Sequence, residues 1–137
     1  MALFYADSSA LVKLVRDEPE SAALRAFLAD ADLVSCELVL TELPRAVRRA
    51  VVNEPKLPLE RLIDRAGEVL DTIALLPLDR ALLLAAGALA EPGLRALDAI
   101  HVAAALDLWP LDAFISYDER QAAAARLAGI RTVAPGA

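Results

Sequence analysis

Two short apolar runs in this chain each end in an aspartate and pass at once into a helix-forming stretch. Leu3-Phe4-Tyr5-Ala6 leads to Asp7 and Ser8-Ser9, and Ala113-Phe114-Ile115-Ser116-Tyr117 leads to Asp118 and Glu119. Runs this short and this apolar suit strands buried on both faces, which is the condition of a parallel sheet covered by helices. The remaining sequence alternates in the same way. It predicts strands over 2–6, 33–34, 73–76, 113–116 and 131–133. It predicts helices from Ser8 to about Asp17, Pro19 to about Asp30, Glu37 to Val52, Leu59 to Asp71, Asp79 to Ala90, Leu97 to Leu108 and Glu119 to Ala128. Pro19 suits a first helical turn, and Gly129 suits a C-terminal cap. Pro44 is expected to kink its helix or to mark its true start. The reading is an α/β fold with a mostly parallel sheet of four to five strands, in one domain over residues 1–137.

That architecture gives meaning to acids that sequence distance separates. If the runs ending at Asp7 and Asp118 are neighbouring parallel strands, both aspartates emerge at one edge of the sheet. Open α/β sheets bind ligands outside the carboxyl ends of their strands. Asp98 opens the segment Leu97-Asp98-Ala99-Ile100-His101-Val102-Ala103-Ala104-Ala105, so apolar that the helix must be buried and its first turn held near the sheet. Glu42 lies early in the helical stretch Leu40-Thr41-Glu42-Leu43. Each acid alone has a structural role to fill, as an N-cap, a first-turn acid or a solvated helix residue. Together they form a crowd of carboxylates that repel one another unless a cation neutralises them. Oxygen-only sites of this kind suit Mg²⁺, with Mn²⁺ able to substitute, and point to metal-assisted phosphodiester hydrolysis.

Composition narrows the alternatives. The chain is 58% hydrophobic, above the usual range, so it has apolar surface for both a core and a partner. No run reaches the length needed to span a bilayer, and Asp7 interrupts the only N-terminal apolar run, which argues against a secretory leader. The single cysteine, Cys36, excludes a disulfide framework and reads as a small buried residue. A cytoplasmic location fits. The net charge of −6 argues against a protein that coats nucleic acid, but an acidic site is what a metal nuclease requires. There is no glycine-rich dinucleotide fingerprint and no P-loop.

The same residues carry a resemblance. Tyr5-Ala6-Asp7-Ser8-Ser9-Ala10-Leu11-Val12-Lys13-Leu14, Thr41-Glu42-Leu43, the Leu97–Ala105 block and Ser116-Tyr117-Asp118 make the chain similar to PIN-domain ribonucleases, specifically the VapC-type toxins of bacterial toxin–antitoxin modules. The Leu97–Ala105 block is the most specific piece, and the pieces extend over nearly the whole chain. The resemblance implies a three-layer α/β/α sandwich. It implies that Asp7, Glu42, Asp98 and Asp118 form an acidic Mg²⁺ site, with Ser9 and Ser116 as supporting hydroxyls. It further implies endonucleolytic cleavage of RNA, toxicity to the host cell and neutralisation by a cognate antitoxin. Pro44, two residues beyond Glu42, departs from the uninterrupted helix expected there and puts the placement of Glu42 at issue.

Substrate contacts are expected from arginines. Arg45, Arg48 and Arg49 share a helical face just beyond Glu42, and Lys13 with Arg16 follows the Asp7 strand. His101, among apolar neighbours, reads as a buried, hydrogen-bonded histidine rather than a general acid. Trp109, before Pro110, reads as core or interface. The amphipathic helices over 8–31 offer apolar surface to a partner helix, and the apolar excess favours a homodimer. The charge of the pocket suggests that an antitoxin inhibits by inserting a Lys or Arg among the carboxylates. Competing readings are a PIN nuclease of RNA processing without a toxin role, a catalytically inactive PIN-fold binding module, and a receiver domain. A receiver requires a paired acid after its first strand, where this chain has serines.

Overall fold

A computed structural model describes residues 1–108 and 110–137, so the expectation for Trp109 lies outside the described residues. Five parallel strands form one sheet in the order β3-β2-β1-β4-β5. They are β1 (Ala2–Ala6), β2 (Ala31–Cys36), β3 (Ala74–Leu76), β4 (Ala113–Ile115) and β5 (Thr132–Val133). Helices α1 (Ser8–Val15) and α2 (Ser21–Phe27) link β1 to β2, and α3 (Val39–Asn53) with α4 (Leu59–Asp71) links β2 to β3. Helices α5 (Arg80–Gly87) and α6 (Ala96–Leu106) link β3 to β4, and α7 (Glu119–Leu127) links β4 to β5.

The period-two alternation of a strand decides which residue serves which face. Phe4, Ala6, Ala113 and Ile115 join a core with Leu11, Leu24, Leu43, Val47 and Val69 from α1–α4. Tyr5, Val34, Cys36 and Phe114 point the other way, into a core with Leu82, Val102, Ala104 and Ala125 from α5–α7. The result is the expected α/β/α sandwich. The chain builds outward from β1 to β2 and β3, then returns to the other side of β1 for β4. The carboxyl ends of β1 and β4 therefore flank the point where strand order reverses, which is where such sheets bind ligands.

Three local expectations change. β2 is longer than 33–34, because parallel pairing with β1 in the register Ala2↔Ala31 recruits Ala31 and Asp32. The second helix starts at Ser21 rather than Pro19. There the Ser21 hydroxyl donates to the Arg16 carbonyl (3.1 Å) and accepts from the Glu18 N–H (2.9 Å), holding the turn before the helix. Pro44 lies inside α3, which starts at Val39 and continues to Asn53. The carbonyl four residues earlier, which loses its donor to proline, belongs to the half-exposed Leu40, where water can replace it.

Candidate active site

Asp7 is built into the carboxyl edge of β1 by its neighbours. Its N–H donates to the Ile115 carbonyl across the β1–β4 pair (3.3 Å). Its Oδ1 accepts from the Ser9 hydroxyl (2.6 Å) and from the Ala10 N–H (3.1 Å), which makes it the N-cap of α1. Its Oδ2 accepts from the Ser116 hydroxyl. Asp7 is only 4% exposed. Burial raises its pKa above the usual carboxylate range, and the two serine hydroxyls and the Ala10 amide work against that rise. Ser9 also accepts from the Tyr117 N–H (2.9 Å), so both expected supporting hydroxyls, Ser9 and Ser116, brace the loop after β4 against α1.

Asp118 caps α7, with Oδ1 accepting from the N–H groups of Arg120 (3.0 Å) and Gln121 (3.2 Å). Asp98 stands in the first turn of α6. Its carboxyl is raised by burial and then by repulsion from Asp118 and Glu42, with His101 and Arg95 opposing. Gln121, itself buried, donates to the Asp98 carbonyl (3.3 Å) and ties α7 to α6. Glu42 stands in the first turn of α3, and its Oε1 lies 2.6 Å from His101 Nε2.

Glu42, Asp98 and Asp118 line one open cleft of about 650 Å³, with Ser8, Arg49, Arg95, Glu119 and Arg120. Asp7 does not line it, although its neighbour Ser8 does. A larger cavity of about 800 Å³ opens at the opposite edge, where β2 and β3 begin, lined mainly by apolar residues with Arg25, Arg65 and Glu68. The carboxylates belong to the smaller one. Among the described residues, no three Asp, Glu, His or Cys side chains close into a metal-binding shell. The donor chemistry nevertheless fits a hard cation. The cleft acids offer only oxygens, and Asp98 resists ionisation because it is partly buried and like charges crowd it. Mg²⁺ keeps several waters and needs few direct carboxylates.

The chain matches the PIN-domain family model over residues 4–127. It belongs to the PIN-domain family. Its curated relatives include Ribonuclease VapC47 and Ribonuclease VapC35 of Mycobacterium tuberculosis, each 36% identical over 98% of both chains. Ribonuclease VapC46 of the same organism is 39% identical over 98% of this chain and 99% of its own. Among solved structures, Mycobacterium tuberculosis VapC20, titled a sarcin-ricin loop cleaving toxin, aligns with a TM-score of 0.68 over 96% of this chain and 99% of that one, at 16% identity. PAE2754 of Pyrobaculum aerophilum aligns with a TM-score of 0.65 over 96% and 84%, at 17% identity. These two show the shared fold.

In this PIN domain the expected acids gather at one edge, but the expected basic residues do not all join them. Arg49 lines the cleft, whereas Arg45 and Arg48, also exposed on α3, do not. Lys13 is engaged elsewhere. Its ammonium pairs with Glu20 (2.8 Å) and Glu18 (3.6 Å) and lies 4.8 Å from the Tyr117 ring centroid. Arg95 and Arg120 were not anticipated. Arg95 stands three residues before Asp98, a spacing that could have pointed to it. His101 is buried and hydrogen-bonded, as expected, through Tyr5 and Glu42. Burial opposes its charge, but contacts with Cys36 and Glu42 outweigh burial and lift the imidazole to about 10. Burial also opposes the Cys36 thiolate, yet His101 at 3.8 Å draws that thiol down.

Over 8–31, α1 and α2 turn Leu11, Val15 and Leu24 into the core, while the partly buried Leu14 and Leu28 line the larger cavity. Among the described residues, the large exposed apolar side chains beyond Met1 are Leu40, Val52, Leu83, Leu84, Leu97, Leu106 and Leu127. Among the described residues, no helix is long and apolar enough to cross a membrane.

Proposed function

We propose that this chain is a metal-dependent endoribonuclease that acts in the cytoplasm as the toxin of a toxin–antitoxin module, folded as one domain over residues 1–137. One observation carries the reading: in a PIN domain with VapC ribonuclease relatives, Asp98 is crowded by Asp118 and Glu42 within a cleft that also presents arginines. Asp98 and Asp118 would hold Mg²⁺ or Mn²⁺, with Asp7 and Glu42 completing the acidic surround. When bound, such a cation supplies a polarised phosphoryl oxygen and a more acidic water.

The chain's own residues do the rest. Glu42 orients the attacking water and takes its proton at the carboxylate. Arg49, Arg95 and Arg120 meet backbone phosphates, whose charge the acids would otherwise repel. Asp7, fixed by Ser9 and Ser116, keeps the ends of β1 and β4 in register with the first turn of α6. A cognate antitoxin that places a Lys or Arg among the carboxylates would compete with the cation for the same charge. The exposed leucines of α5–α7 suit a second copy of the chain.

Cleavage of total RNA by the purified, antitoxin-free protein tests the reading. Discrete cleavage with Mg²⁺ or Mn²⁺ that is lost in EDTA and in folded Asp7→Asn and Asp98→Asn variants supports it. Equal cleavage by those variants removes the acids from the mechanism.

A further inference from the structure

His101 lies on α6 with 2% of its surface exposed. A histidine kept only for packing can satisfy its nitrogens with nearby backbone carbonyls. Here both nitrogens meet side chains distant in sequence. Nδ1 is 2.8 Å from the Tyr5 hydroxyl and Nε2 is 2.6 Å from Glu42 Oε1. Tyr5 is fully buried on the central strand and its ring stacks on Phe114, with centroids 5.1 Å apart. A line of contact thus runs from β1 through α6 to the first turn of α3. It ends at Glu42, a residue of the cleft whose Oε2 has no hydrogen-bond partner among the described residues. An unrestrained glutamate distributes over many rotamers. Tying one oxygen to a ring that cannot move restricts where the other points.

We propose that His101, anchored by Tyr5, is a positioning residue that holds Glu42 Oε1 so that Oε2 serves the cleft. The inference rests on the reading of that cleft as a nuclease site. It adds a geometric link. Asp98 and His101 are one turn apart on α6, so a single helix carries one acid and the brace that places another. A bond to an orienting partner of this kind is worth about 10–100-fold in activity where metal sites have been dissected.

The test is a double-mutant cycle on the full chain, followed by kcat and KM on an RNA that the wild type cleaves. His101→Leu should lower kcat by about 10–100-fold while KM for RNA stays within about twofold. His101→Gln, which keeps an N–H able to reach Glu42, should recover most of the loss. In a Glu42→Ala background, His101→Leu should cost nothing further, because its effect passes through the missing carboxylate. If His101→Leu does not fold, Tyr5→Phe runs the same cycle with a smaller loss. A second readout needs no activity: in the metal-free protein the proton on His101 Nε2 should resonate far downfield in NMR and move upfield in Glu42→Gln. Equal costs in both backgrounds, or an Nε2 proton indifferent to Glu42→Gln, overturn the positioning role. Asp98→Asn run alongside keeps the two readings apart. Retained cleavage there removes the cleft acids from the mechanism, whereas lost cleavage with independent costs overturns only the role of His101.

Discussion

The two faces of the sheet are packed from different materials. On the α1–α4 face, Phe4, Leu11, Leu24, Leu43, Val47 and Ile115 interdigitate as large or branched side chains. On the α5–α7 face, seven of the thirteen buried apolar residues are alanines, among the described residues. Burying a leucine contributes roughly 1.5–3 kcal/mol, and an alanine far less, so the first face carries more of the stability. The second face gains proximity instead. Small side chains let α6 lie close against the strands, and that closeness brings Asp98 to the sheet edge and His101 within reach of Tyr5 and Glu42. Strand β1 serves both, with Phe4 and Ala6 on one side and Tyr5 on the other. The difference teaches that the two sides of the same five-residue strand contribute unequally: one carries more of the stability, and the other provides the close approach that places α6 at the site.

Substitutions can separate those contributions. The largest effect is expected from Asp98→Asn, which should reduce RNA cleavage by about 10²–10³-fold, the scale of losing one preorganised charge-stabilising group. Its melting temperature should hold or rise, because the burial of its charge and the repulsion from Asp118 and Glu42 are relieved. Leu24→Ala, on the opposite face and remote from the cleft, should cost about 2–5 kcal/mol of stability in denaturant melts, with kcat of the folded protein unchanged. Ala104→Leu should cost less stability, about 1–3 kcal/mol from overpacking. Cleavage should nevertheless drop, because α6 must move away from the sheet. Full activity in that variant would break the comparison.

The smallest effect concerns pH. Burial raises the Asp7 carboxyl, so the fold favours its protonated form. That stabilisation is present below the unfolded value, about 3.9, and is lost as pH rises through the folded one. In EDTA, Asp7→Asn should therefore melt above the wild type at pH 7. The gap should narrow as the pH falls toward 4, and a constant gap would show that the charge on Asp7 is not its source.

Much of this was legible because strand and helix periods are local. The first strand, α4 and the junctions at Asp7 and Asp118 follow from a few adjacent residues each. β2 was underestimated because Ala31 and Asp32 are poor strand formers alone and are extended only by pairing with β1. Pro44 does not mark the start of α3, because a helix anchored by Leu43 and Val47 tolerates the donor lost to the half-exposed Leu40. The acids could be found because helix and strand ends gather by rule at one sheet edge. The contacts of Tyr5, Cys36, Glu42 and His101 obey no such rule. No local pattern joins residues 5, 36, 42 and 101, and the link exists only once α6 has docked. Arg95 and Arg120 were missed because an exposed arginine carries no signature until the cleft beside it is known.

The bond between Ser116 and Asp7 joins residues 109 positions apart. Synthesis proceeds from one end, so β1 and Asp7 leave the ribosome long before β4 exists to pair with them. Until then Asp7 lacks the hydroxyl on Oδ2 and Asp118 is absent. A polypeptide released early, from a broken message or a stalled ribosome, carries Asp7 and Glu42 but cannot assemble the edge where the acids meet. For a protein whose proposed substrate is RNA, the order of the strands acts as a clock: the edge that gathers the acids forms only after the ribosome has read past Asp118.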